Sequence, residues 1–150
     1  MTDWNKRFLG LAKHIASWSK DESTKVGAVI IGPDKRILSV GYNGPPRGID
    51  DSNKEYHERP LKYAVFEHSE RNAIYNAAAN GIQLKESKLY TTLFPCADCS
   101  RGIIQCGITS VVTYNPDLSD IRWGESFKIS KHLLEEANIV LELYEQELLH

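Results

Sequence analysis

The chain is short of cysteine, of positive charge and of long apolar runs, and each shortage removes a class of explanation. Only three cysteines occur among 150 residues, Cys96, Cys99 and Cys106, and they are crowded together. An odd, clustered set makes no disulfide framework and leaves the sulfurs for metal or redox chemistry in a reducing compartment. Eighteen Lys and Arg stand against 20 Asp and Glu, for a formal net charge of −2. Proteins that grip a phosphate backbone usually carry a basic excess, so nucleic acid is not the expected partner. No apolar run approaches the ~18–20 residues that span a bilayer, and no membrane is expected. The opening stretch MTDWNKRFLG has no continuous apolar core of the secretory kind, so the expected location is the cytoplasm. Repeats, low-complexity tracts and linkers are also missing. Together with the length, this predicts one domain over residues 1–150.

What is present reads as an alternating α/β chain. Trp4, Phe8, Leu11, Ile15 and Trp18 recur at steps of four and three, one face of a helix that Thr2 or Asp3 can cap. Two β-branched runs flank GPDKR, a hairpin signal. A long loop comes next, GPPRGIDDSNKEYHERP, rich in Gly, Pro and charge; long loops in small domains are often functional. A helix is predicted from His68 to Asn80 and stops at Gly81. KLYTTLF reads as a strand, CADCSRGIIQC as a short helix ended by Gly107, and ITSVVTYN as a strand. SFKISKHLLEEA reads as a helix carrying Phe127, Leu133, Leu134 and Ala137. IVLELYEQELL begins as a strand, and its end is left unassigned. Strands that alternate with helices after a hairpin predict a mixed sheet covered on both faces.

The chemistry lies in two stretches, EHSERNAI and FPCADC. Cys96 and Cys99 are three apart on a predicted first helical turn. There the free N–H groups and the helix dipole favour thiolate, the ligand form of the sulfur. Such a pair alone can be a redox couple or half of a structural zinc site. Cys106 lies two turns further along the same helix, too far to bend back, and reads as a small buried hydrophobe. His68 supplies a third donor from another helix start. His, Cys and Cys leave one coordination position open for water, the mark of a catalytic zinc. Zinc lowers the pKa of such water toward ~7. Glu70, two residues from His68, is then placed to carry a proton between that water and a substrate.

H-x-E followed by P-C-x-x-C is the signature of zinc-dependent nucleobase deaminases. Four blocks carry the likeness further: SKDESTKVGAVII, SVGYNGPPRGIDD, KYAVFEHSERNAI and LYTTLFPCADCSRGIIQCGI. Together they resemble the successive blocks of deoxycytidylate deaminases, across roughly residues 19 to 108. GYNGPPRG points to that branch. The resemblance implies a three-layer αβα sandwich around a mixed sheet of about five strands, of the cytidine deaminase-like kind. It implies hydrolysis of dCMP to dUMP and ammonia, with His68, Cys96 and Cys99 on one Zn²⁺ per chain and Glu70 as the proton carrier. Asn43 resembles the asparagine that bonds the sugar; its alternative is a turn residue at an Asn-Gly step. Ser23 and Lys25 resemble positions near the 5′-phosphate, and Arg47 belongs to the loop expected at the pocket. His57, Arg59 and Lys62 are further candidates from that loop. Tyr114 lies just after a strand and can stack near the base or sit in the core. Family members commonly self-associate, so a homo-oligomer is expected.

There are departures from the pattern. Ser69 stands where alanine is common between the metal histidine and the glutamate. Arg71 replaces a hydrophobic residue of some relatives and is expected to pair with a carboxylate at a subunit contact. Ala79 stands where some relatives have an arginine tied to nucleotide control. The long loop holds His57 but no cysteine, so a second, structural zinc is not expected. Two alternatives stay open. One is a deaminase of another cytosine or adenine substrate (CMP, dCTP or tRNA adenosine) on the same fold. The other is a zinc-stabilised scaffold without activity.

Overall fold

A five-stranded sheet with helices on both faces organises the computed structural model, which describes residues 3–146. Helix α1 (Trp4–Ala16) starts at Asp3, whose side chain accepts the Lys6 N–H at 3.1 Å. Thr2, the other cap considered, lies outside the described residues. The expected apolar stripe needs correcting. Trp4 is 40% exposed, and Trp18 is 52% exposed and beyond the helix end. The buried face is Phe8, Leu9, Ala12, Ile15 and Ala16. The reason is how closely α1 lies on the sheet. A Cβ on Gly27 would meet Ala12 O at 2.1 Å and Ala16 N at 2.5 Å, so the tightest part of the interface is filled by Ala12 and Ala16.

Strands β1 (Gly27–Ile31) and β2 (Ile37–Tyr42) pair antiparallel around GPDKR, as the sequence predicts. Gly32 N–H donates to Arg36 O across the turn at 2.8 Å, and Lys35 takes the left-handed φ of 65°. The long loop is more ordered than expected. It contains a 3-10 turn at Lys54–His57 and a short helix, α2 (Leu61–Val65). After it come α3 (Ser69–Ala79), β3 (Lys88–Thr91), α4 (Ala97–Gln105), β4 (Ser110–Tyr114), α5 (Gly124–Glu136) and β5 (Val140–Tyr144). β3 is three residues shorter than predicted. After Thr91 the chain leaves the sheet toward Pro95. α5 begins two residues earlier than predicted. Among the described residues no helix is long and apolar enough to cross a membrane.

The strand order is β2-β1-β3-β4-β5. β1 is antiparallel to both neighbours, and β3, β4 and β5 are parallel to one another, so the sheet is mixed. Side-chain alternation sorts the core into two layers. Val29, Ile31, Tyr90, Val112 and Tyr114 pack under α1. Ala28, Ile30, Leu89 and Val111 pack under α3, α4 and α5, against Ala73, Ala77, Ile103, Phe127 and Leu134. Every residue of β1 is buried, as a strand covered on both faces must be.

Helix α3 carries Glu70 in its first turn, and two sets of contacts dock it on the sheet. Its small face, Ala73 and Ala77, is fully buried. Asn72 Nδ2 donates to Tyr42 O at 2.8 Å and Asn76 Nδ2 to Val40 O at 2.7 Å, so side chains one turn apart satisfy carbonyls of the edge strand β2. Gly41 permits this approach. A Cβ there would lie 2.4 Å from Ala73 N and 2.5 Å from Ser69 O, both backbone atoms that cannot give way. Gly41→Ala therefore pushes the start of α3 off β2. It should destabilise the protein by about 3 kcal/mol, seen as a lower urea midpoint at unchanged slope.

Candidate active site

Two helix starts converge on one point. His68 is the N-cap of α3, and Cys96 is the N-cap of α4. An isolated antiparallel bridge between Gly44 and Glu67 fixes the approach to α3. Gly44 N–H donates to Glu67 O at 3.1 Å, and Glu67 N–H donates back to Gly44 O at 2.9 Å. From α5, Ser126 Oγ accepts the Ala97 N–H at 2.8 Å and fixes the start of α4. Between these starts His68 Nδ1 lies 3.3 Å from Cys96 Sγ and 3.5 Å from Cys99 Sγ. All three donor atoms lie within 4.8 Å of one another.

The donor set fits tetrahedral zinc. With Zn–S near 2.3 Å and Zn–N near 2.05 Å, tetrahedral angles put nitrogen and sulfur ~3.6 Å apart. The two thiols are shifted in opposite directions. A hydrogen bond from the Cys99 thiol, helped by His68, holds Cys96 down to about 4. The same bond and burial push Cys99 up. The Cys96 sulfur in turn raises the pKa of His68. Cys106 is half-buried, and its thiol is raised by burial, as suits the packing role read from the sequence.

Glu70 is buried beside this cluster at 4% exposure. Its Oε1 accepts from Ser69 Oγ and, at 3.1 Å, from Thr91 Oγ1. Its Oε2 takes no side-chain hydrogen bond among the described residues. The residue at position 69, unusual in the sequence pattern, thus orients the carboxylate. Glu70, His68 and Cys96 line a cavity of about 830 Å³, with Cys99 fully buried behind them. Phe66 and Trp123 supply apolar wall. The Trp123 ring stands edge-on to His68, centroids 5.5 Å apart at 78°, and to Tyr63 at 6.1 Å.

The expected binding residues divide. Asn43 lines the cavity, but its amide is largely committed. Nδ2 donates to Asp21 Oδ2 at 3.1 Å and to Thr24 O at 2.8 Å, and Oδ1 accepts the Val26 N–H at 2.9 Å. One oxygen lone pair remains. Ser23, Lys25 and Arg47 are exposed and stand outside the cavity lining. Thr24, between Ser23 and Lys25, does border the cavity, and Arg47 Nη2 donates to Asn76 Oδ1. Tyr114 is in the core under α1, on the other face of the sheet from α3 and α4, and does not reach the cavity. His57 packs edge-on against Phe66 outside the lining. Arg59 and Lys62 do line it, joined by Arg122, which no sequence motif singles out.

The same motifs and the same fold recur in known proteins. The model of the cytidine and deoxycytidylate deaminase zinc-binding region matches residues 2–115. The chain belongs to that family. An uncharacterized deaminase in the luxG 3′ region of Aliivibrio fischeri is 41% identical over 142 residues, covering 93% of this chain and 92% of that one. A probable deoxycytidylate deaminase of Drosophila melanogaster is 34% identical over 146 residues, covering 91% and 70%. The dCMP deaminase of cyanophage S-TIM5, crystallised with dCMP and dUMP, superposes with a TM-score of 0.75 at 25% identity, over 96% of this chain and 99% of that one. The matched zinc-binding region includes both helix starts, and the mixed five-stranded sheet has the fold of the phage enzyme.

One network in the cavity wall has no signal in the sequence. Lys62 and Asp21 form a buried ion pair, Nζ to Oδ1 at 2.8 Å, with side chains 9% and 5% exposed. Burial works to raise the Asp21 pKa. The Lys62 ammonium and the Ser23 and Thr24 N–H groups outweigh it and lower the value. The pair joins α2 to the 21–26 turn and to Asn43, residues far apart in the chain, and no local pattern announces it.

Proposed function

We propose that this protein hydrolyses dCMP to dUMP and ammonia. The observation that carries the reading is Glu70: a buried carboxylate with one uncommitted oxygen, beside a His-Cys-Cys donor set, on the wall of a cavity large enough for a nucleotide. Zinc held by His68, Cys96 and Cys99 supplies the Lewis-acid chemistry that makes water a nucleophile near neutral pH. Glu70 Oε2 takes one proton from the attacking water and passes it to the cytosine ring nitrogen, then takes the second from the hydroxyl left on the ring and passes it to the amine, which departs as ammonia. Phe66 and Trp123 bound the base and exclude bulk water. Asn43, with one lone pair left, accepts a hydrogen bond from a sugar hydroxyl.

The 5′-phosphate falls to Arg59 and Arg122. Among the described residues three lysine or arginine side chains line the cavity, and Lys62 is already paired with Asp21. Arg59 and Arg122 are exposed and pair with no carboxylate among the described residues; Arg59 lies over the Tyr63 ring at 5.9 Å, and Arg122 precedes Trp123 in the chain. An arginine's fork suits a phosphate. Arg59→Gln and Arg122→Gln should each lower kcat/KM for dCMP by roughly tenfold and leave the slow turnover of deoxycytidine unchanged. An equal loss on both substrates would remove the phosphate from this site.

The reading requires no nucleic acid, in keeping with the net charge of −2. A cytoplasmic location and self-association belong to it as proposals. The direct test is zinc-loaded protein incubated with dCMP, CMP, dCTP, cytidine and deoxyadenosine monophosphate, with ammonia release as the readout. Turnover of dCMP above the others is expected. Turnover of another base alone would overturn the assignment.

A further inference from the structure

Arg71 is the largest charged group near the donor set that the reaction does not use. It lies one turn into α3, and its side chain is 21% exposed. Its guanidinium points two ways. Nε pairs with Glu67 Oε1 at 2.7 Å, and Nη1 reaches Asp98 Oδ2 at 3.5 Å. Both carboxylates that Arg71 pairs with, Glu67 and Asp98, belong to its own chain.

The two acids are the ones next to the metal donors. Glu67 immediately precedes His68, and its Oε1 also accepts the His68 N–H at 3.1 Å. Asp98 lies between Cys96 and Cys99 on the first turn of α4 and is shared with Arg101, Nη2 to Oδ1 at 2.5 Å. One guanidinium therefore stands in ion-pair contact with an acid at the start of the helix that presents the imidazole and with an acid at the start of the helix that presents both sulfurs, although Nε makes no hydrogen bond of good geometry. It also places a positive charge among Glu67, Glu70, Asp98 and two sulfurs. Burial opposes keeping that charge, and Cys99, Glu67, Cys96 and Asp98 outweigh burial, so the guanidinium stays protonated.

We propose that Arg71 is a positioning residue of the zinc site: it holds the two helix starts at the spacing that lets His68, Cys96 and Cys99 share one ion, and offsets the negative charge gathered there. The inference rests on the zinc-site reading and is independent of which nucleotide is the substrate. Groups that orient metal ligands without touching the ion typically change affinity by 10- to 100-fold when removed. Lysine keeps the charge but has a single point of contact and cannot reach both acids.

The test compares wild type, Arg71→Met and Arg71→Lys for zinc affinity, by competition with a chromophoric chelator at fixed pH, together with the urea midpoint of each metal-free protein. Arg71→Met should bind zinc about 10- to 100-fold more weakly, and Arg71→Lys should recover part of the loss. If Arg71→Met is less stable without metal but binds zinc as tightly as wild type, the arginine is a structural tie only and the proposal fails. If Arg71→Met does not fold, Asp98→Asn cuts the same link from α4. It should weaken zinc binding in the same direction, and unchanged affinity there overturns the proposal. Wild type that binds no zinc would instead overturn the site reading itself.

Discussion

Glu70→Gln is expected to lower the rate of dCMP deamination by about 10²–10⁴-fold while zinc content stays at one ion per chain. The substitution is close to isosteric. The glutamine carbonyl can still accept the Ser69 and Thr91 hydroxyls that now bond Oε1, so the side chain keeps its place and the fold is undisturbed. What changes is the oxygen facing the cavity, replaced by an amide NH₂ that cannot accept a proton. Binding of substrate depends on other groups, so the loss should appear in kcat and not in KM. Metal analysis and steady-state kinetics on one preparation decide the matter. A variant with full zinc and full activity would favour the inert scaffold and remove Glu70 from the chemistry.

His68→Ala should have a different signature, with metal and activity lost together. Structural zinc binding is worth ~10–16 kcal/mol over four ligands, so one ligand carries roughly 3 kcal/mol or more, at least 10² in affinity. The lost imidazole supplies the Nδ1 that lies between the two sulfurs. It also carries the edge of Trp123, so that wall should loosen as well. The measurement is zinc stoichiometry after dialysis, with activity measured beside it. Full occupancy in the alanine variant would show that the donor set is wrong.

The site's core was legible in the sequence because its members are local. His68 and Glu70 are two apart, Cys96 and Cys99 three apart, and each pair begins a helix whose start the flanking residues announce. The hairpin and the order of later elements were legible for a similar reason, since their hydrophobic periods change at clear turn signals. The cavity wall was not. Asp21, Asn43 and Lys62 come from three segments, and only the folded chain brings them together. Arg122 and Trp123 sit before α5 in a stretch with no motif. Tyr114 shares its parity with Val112, and parity places the two on one face of β4. Which face carries the site depends on where α1 and α3 dock, and no strand reports that alone. Trp4 and Trp18 misled because helical spacing marks a face without saying how close the neighbouring layer will come. That distance is set by Gly27, in another element.

The sulfur donors at the start of α4 are 28 and 31 residues from His68 in the chain, and each helix is anchored to a different neighbour. An ion shared between them acts as a cross-link as well as a reagent. Free zinc at 100 times its dissociation constant adds ~2.7 kcal/mol to the folded state. Metal supply therefore governs how long each molecule survives proteolysis, and scarcity would thin the population of this protein before it slowed any single copy.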